Sequence, residues 1–184
     1  MRTLTSSEVE ILFQSAMGNY YYPVIYTAVS TGLRQAELLG LRWRDIDLHM
    51  LSISVSQVLY KRGGICVFKE PKTAHSRRRV AMTPKLALYL REYKVERESL
   101  YQQLGKQLGL DDLVFTSVAV RPIDPGVVSH TFASLMLLRG AKPKVISEAL
   151  GHSSVAFTMD CYSHIIEGMQ EDAMALLDEV LPAG

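Results

Sequence analysis

The chain has 184 residues, a formal net charge of +1, 48% apolar and 21% charged residues. That suits one domain of ordinary size, or a large piece of something longer, with material for a sizeable core, which excludes a disordered tail. No stretch reaches the roughly 18 apolar residues of a membrane helix, no apolar signal segment follows Met1, and two cysteines, Cys66 and Cys161, cannot form a disulfide scaffold, so a cytoplasmic location without membrane contact is expected.

The charge is unevenly spread. Residues 61–97 carry eleven Lys or Arg against three acids, whereas residues 148–184 carry seven acids and no Lys or Arg. A basic face for a polyanion with an acidic tail elsewhere fits this pattern, as does a solvated helix face with a solubilising tail.

Thr5-Ser6-Ser7-Glu8 reads as a capping box, with Val9, Leu12, Phe13 and Ala16 starting an apolar helix face that Gly18-Asn19 ends. A second helix is expected over 22–29 and a third over 33–40, capped by Thr31. Leu51, Ile53 and Val55 alternate with polar residues as in a half-buried strand. Gly63-Gly64 turns the chain into a returning strand at 65–69, and a polar loop over 70–78 leads to a third strand at 79–82. Thr83-Pro84 opens an amphipathic helix to about Leu104, with Leu86, Leu90, Tyr93 and Arg97 on one side. Leu113–Phe115 is a short apolar segment. Helices follow at 127–138, 143–150 and 169–181, the last with an apolar stripe able to pack in cis or on another protomer. The fold class is therefore α+β, mostly helical, with a small three-stranded antiparallel sheet.

Four places carry chemistry. In the first, Thr31–Trp43, Arg34 falls in the first turn of a helix with Glu37 one turn on, so the carboxylate can aim the guanidinium at an anion; an ordinary surface pair has the same spacing. In the second, Pro71–Arg79, Lys72 on a loop between strands can hand a proton to a leaving oxygen. Arg77 and Arg78 beside it suit phosphate contacts, and so does a merely solvated basic loop. In the third, His152 follows a helix end in Leu150-Gly151-His152, where it can donate to a phosphate oxygen or simply cap. The fourth is Tyr162 in Met159-Asp160-Cys161-Tyr162-Ser163-His164; a phenol with a free pKa near 10 needs help to act as nucleophile. Cys161 and His164 receive no role. The histidines have no compact metal-ligand spacing, so no metal is expected.

Taken together, Thr31–Leu48, Pro71–Val80, His130–Leu138 and Pro143–His164 resemble, in order, the catalytic domain of tyrosine-type site-specific DNA recombinases, the phage and conjugative-transposon integrase family. The resemblance implies a metal- and cofactor-independent DNA recombination enzyme of mobile elements. Tyr162 attacks a phosphodiester of double-stranded DNA and leaves a 3′-phosphotyrosyl link. By the same resemblance Arg34 would hold a non-bridging oxygen, Lys72 would protonate the 5′ oxygen, His152 would donate to the transition state and Glu37 would support Arg34, with Arg77 and Arg78 expected to bind DNA. Other recombinase protomers, four on two duplexes, are the implied partners.

The chain departs from the family in two places. A His-x-x-Arg motif normally stands just before His-Thr-Phe-Ala; here His130-Thr131-Phe132-Ala133 is present, but Gly126 and Ser129 occupy the two positions. Arg121 and Arg139 are the nearest arginines and match no family position. The expectation is an internal deletion near 125–130, and weak or absent strand cleavage. The family also places a helical core-binding domain before this one, which the residues ahead of Thr5 cannot supply. Residues 1–184 thus read as a catalytic domain alone, with a non-catalytic DNA-binding remnant of an integrase as the alternative.

Overall fold

A computed structural model describes residues 5–70, 78–138, 140, 142–150 and 155–162. In chain order they form α1 (Ser6–Ala16), α2 (Tyr22–Thr31), α3 (Gln35–Leu39), a single 3₁₀ turn (Trp43–Asp45), β1 (Ile46–Asp47), β2 (Ser52–Ser54), β3 (Val58–Arg62), β4 (Ile65–Lys69), β5 (Arg79–Ala81), α4 (Pro84–Gln103), α5 (Pro125–Leu138), α6 (Pro143–Leu150) and α7 (Val155–Cys161). The chain divides into two compact units, residues 18–128 and residues 1–17 with 129–184, so the boundary falls within α5.

In the 18–128 unit the strands make two antiparallel sheets. β1, β2 and β5 form a three-stranded sheet in the order β1-β2-β5, with Ile53 opposite both Ile46 and Val80. β3 and β4 form a separate hairpin, with Leu59 opposite Phe68. The α+β class agrees with expectation, but the strand pairing differs. The strand at 65–69 returns along β3, which hydropathy alternation at 51–55 did not reveal, and the third member of the sheet is the two-residue β1. Leu51 takes φ 48, outside the extended region, so the ladder begins one residue later than the alternation implies.

Local chemistry explains the frame around the α2–α3 turn. Gly32, at φ 66, donates its N–H to the Ala28 carbonyl at 2.8 Å and ends α2 in the left-handed conformation that only glycine adopts without cost. Thr31 therefore closes α2 rather than capping α3, and its hydroxyl donates to the Thr27 carbonyl. At the C-terminus of α3, Gly40 lies against β3: an added Cβ would stand 2.9 Å from both the Gln57 carbonyl oxygen and the Val58 Cα.

α4 behaves as its spacing predicts. Thr83 caps it by accepting from the Leu86 N–H at 3.2 Å, and Leu86, Leu90, Tyr93 and Arg97 are all buried. Leu86, Leu90 and Tyr93 pack into a core with Leu38, Leu39, Leu41, Ile53 and Phe115. The Arg97 guanidinium is satisfied by neutral groups, the Thr116 and Tyr20 hydroxyls and the Ser117 carbonyl. The Leu113–Phe115 segment is inside, with Leu113 bridged to Arg42 and the Val114 N–H donating to the Leu41 carbonyl.

In the other unit Leu12, Ala16, Ala133, Met136, Leu137 and Ile146 are fully buried, and α6 packs on α7. α5 starts at Pro125, two residues before the expected start, because Asp124 caps it: its side chain accepts from the Gly126 N–H at 2.9 Å. Helix α7, absent from the sequence reading, leads directly to Tyr162. The helix expected at 169–181 lies outside the described residues.

Candidate functional site: an anion-directed corner and a buried phenol

The first corner is built where α2 turns into α3. Arg34 is the N-cap of α3, one position before the helix rather than inside its first turn. An arginine side chain has no acceptor for the free N–H groups of that turn, so half of a capping box forms instead. Glu37, three residues on, reaches back and accepts the Arg34 backbone N–H at 2.8 Å. The same carboxylate receives an Arg34 Nη1 contact at 3.4 Å and a fork from Arg78, at 2.7 Å from Nη1 and 3.0 Å from Nη2.

Exposure separates the three groups. The Glu37 side chain is 6% exposed, that of Arg78 35%, and that of Arg34 80%. Glu37 is thus a buried anion clamped from β5's entry by Arg78, while Arg34 leans on it by one long contact and turns most of its guanidinium to solvent. Burial pushes the Glu37 carboxyl up, but the Arg78 hydrogen bonds, the Arg34 backbone N–H and the two positive charges outweigh it and hold the carboxyl below its ordinary range. Arg78 is fixed at its backbone too, since its carbonyl accepts the Val55 N–H at 2.9 Å and prolongs the β2–β5 ladder. Its two terminal nitrogens serve Glu37 rather than standing free. Beside it, Arg42, Arg79, Ser54, Ser56 and the acid Glu70 line a groove of about 380 Å³.

The start of α5 is tied to the same unit. Gln35 donates to the Pro125 carbonyl at 2.7 Å, and Lys61 on β3 pairs with Asp124. Gly126 and Ser129 lie on α5 in an uninterrupted helix, with no arginine between Pro125 and Leu138.

The second corner lies in the other unit. Tyr162 follows α7, its N–H donating to the Met159 carbonyl at 3.3 Å, and the residue is 3% exposed. Its hydroxyl lies 2.9 Å from Nδ1 of His130, which sits on α5 and is exposed. Burial, and then the neighbouring Cys161, raise the phenol above its ordinary value. Of the sequence-derived residues, Arg34, Glu37 and Arg78 come together, and Tyr162 is placed against His130. Lys72, Arg77 and His152 lie outside the described residues. Sequence reasoning had given His130 no role, although it opens the His-Thr-Phe-Ala segment.

The Phage integrase family matches residues 2–168. The ICEBs1 integrase of Bacillus subtilis is 31% identical over 181 residues, covering 87% of this chain and 49% of that protein. A tyrosine recombinase XerC-like protein of Caldanaerobacter subterraneus is 26% identical over 214 positions, covering 98% of this chain and 54% of the relative. The chain thus spans about half the length of these relatives. Since 214 positions exceed the chain's 184 residues, the second relative carries at least 30 positions inside the aligned span that this chain does not match. The structure of the Tn1549 transposon integrase in complex with transposon right end DNA superposes with a TM-score of 0.55 at 21% identity, covering 93% of this chain and 65% of the other. At that identity the likeness concerns the fold. Among the described residues, no helix is long and apolar enough to cross a membrane.

Proposed function

We propose that this chain, which belongs to the phage integrase family, is a strand-breaking and rejoining module of a site-specific DNA recombination system working in the cytoplasm. The observation that carries this reading is the Arg34–Glu37–Arg78 corner. A solvent-facing guanidinium is held by a buried carboxylate that is itself clamped, which is preorganisation for an anion that arrives from outside.

In this reading the anion is a DNA phosphate. Tyr162 attacks phosphorus and leaves DNA joined to its hydroxyl through a 3′-phosphotyrosyl bond. That bond conserves the energy of the one broken, so rejoining needs no further energy source. Arg34 neutralises a non-bridging oxygen, Lys72 supplies the proton to the 5′ oxygen, and His152 donates a further hydrogen bond. Arg77 contacts backbone phosphate, and Arg78 works through Glu37. Double-stranded DNA and further recombinase protomers are the partners.

A second reading, a DNA-binding remnant without catalysis, is favoured by α5. Gly126 and Ser129 stand where the family has His and Arg, and the relative's additional positions support an internal shortening. Loss of one preorganised donor slows such reactions by about 10²–10³. The test is to incubate the chain with a random-sequence pool of nicked duplexes. Salt-sensitive retention together with a detergent-resistant adduct, absent in Tyr162→Phe, is the result expected of the module. Salt-sensitive retention with no adduct assigns the chain to the second reading, and no retention overturns both.

A further inference from the structure

Tyr162 is buried, and its hydroxyl lies 2.9 Å from Nδ1 of His130. The two rings lie 5.6 Å apart with planes tilted by 58°, so the contact is a hydrogen bond in the imidazole's edge rather than a stack. The histidine is exposed while the phenol is not, which gives a proton leaving the phenol a route to water through the far side of the imidazole. A phenol whose ionisation is opposed by burial and by an adjacent thiol becomes a nucleophile only when a neighbouring group accepts its proton. Imidazole is the side chain best suited to accept and release a proton near neutrality.

We propose that His130 is a catalytic residue of this chain, the group that takes the Tyr162 proton as the phenol attacks phosphorus. The proposal rests on the strand-breaking reading above. The ring starts neutral, with its hydrogen on Nε2 and the Nδ1 lone pair accepting from the hydroxyl. As the Tyr162 Oη–H bond breaks, the proton passes to Nδ1. The freed oxygen pair forms the bond to phosphorus, and the bond from phosphorus to the 5′ oxygen breaks with its pair on that oxygen, which takes a proton from Lys72. In rejoining, the 5′ hydroxyl attacks, gives its proton up to Lys72, and the departing Tyr162 oxygen recovers its own from Nδ1. No oxidant, metal or cofactor enters the balance.

Two measurements test it. The first needs no DNA: nitrogen NMR of histidine-labelled chain, under conditions where the ring is neutral, reads which nitrogen of His130 carries hydrogen. The expected result is the Nε2–H tautomer, with an Nδ1 signal that moves in Tyr162→Phe; an Nδ1–H tautomer overturns the proposal. The second uses duplexes with random flanks in which sulfur replaces the bridging 5′ oxygen, because a sulfur leaving group needs no proton. His130→Asn keeps an acceptor near the Nδ1 position but cannot take up a proton. Adduct formation should fall about 10²-fold or more in His130→Asn with either leaving atom. The defect of Lys72→Ala should appear with oxygen and vanish with sulfur. His130→Asn reacting at the wild-type rate overturns the proposal, because it leaves the histidine a purely positioning role. If the wild-type chain forms no adduct even with sulfur, the strand-breaking reading fails and the transfer step fails with it; the tautomer measurement separately reports whether the hydrogen bond exists.

Discussion

Arg78 donates both terminal nitrogens to the buried carboxylate of Glu37, at 2.7 and 3.0 Å, and the same carboxylate accepts the backbone N–H of Arg34. One anion thus fixes the start of α3, the entry to β5 and the base of the more exposed of the two guanidiniums. A titration of Glu37 therefore acts on α3, β5 and the Arg34 side chain together.

Its sign follows from the lowered carboxyl. A depressed acid contributes stability that is fully present above the ordinary carboxylate range and lost as pH falls through its lower folded-state value. At neutral pH Glu37→Gln should be less stable by roughly 1–3 kcal/mol, at the lower end because Arg78 is partly hydrated and can recover solvent. Below about pH 4 the two melting temperatures should converge, because the wild type loses the charged interaction that the variant never had. Melting curves that remain parallel across the acid range would sink this account.

Arg77 and Arg78 are adjacent in sequence, but the account gives them different work. Arg77→Ala should lower the slope of log affinity against log salt by about one, as one lost phosphate contact does, and weaken binding across all duplexes. Arg78→Lys should leave that slope unchanged, because the charge is kept, yet slow adduct formation, because a lysine cannot reproduce the fork on Glu37. Filter binding across a salt series, read beside adduct rates, separates the two effects. Adduct formation at the wild-type rate in Arg78→Lys would mean that only the charge of Arg78 matters, and would return it to direct phosphate contact.

The closeness of α3 to β3 supplies a test of the frame itself. A methyl group at Gly40 would meet backbone at 2.9 Å on two atoms, and backbone cannot rotate away as a side chain can. Gly40→Ala should cost about 1–3 kcal/mol in a denaturant titration. Gly109→Ala, where the added carbon meets only the Asp112 carboxylate at 3.5 Å, should cost far less. Equal effects would mean that α3 and β3 are not in this contact.

Periodicity made α4 legible to its last turn, because Leu86, Leu90, Tyr93 and Arg97 all belong to the buried face of one long helix. The sheet was harder to read. Both the 65–69 strand and the β2 strand were visible, but pairing depends on β3 and on a two-residue β1, and neither shows enough alternation to be recognised. Arg34 and Glu37 were readable as a pair from their spacing. That Arg78 joins them was not, because 41 residues separate it from Glu37 and only the fold closes that distance. Tyr162 was identified through the block that resembles the integrase family. His130 lies 32 residues away, and its chemical signal was simply a histidine beside a position where the family's arginine is replaced by serine.

The measurement that bears most directly on the central claim is to digest the detergent-resistant adduct and locate the nucleotide by mass spectrometry. The chain has nine tyrosines, so the answer discriminates among them. The account predicts a 3′-phosphonucleotide on the peptide that contains Tyr162, with the other fragment of the cleaved strand ending in a free 5′ hydroxyl. A nucleotide on any other residue, or a 5′-linked one, would contradict it.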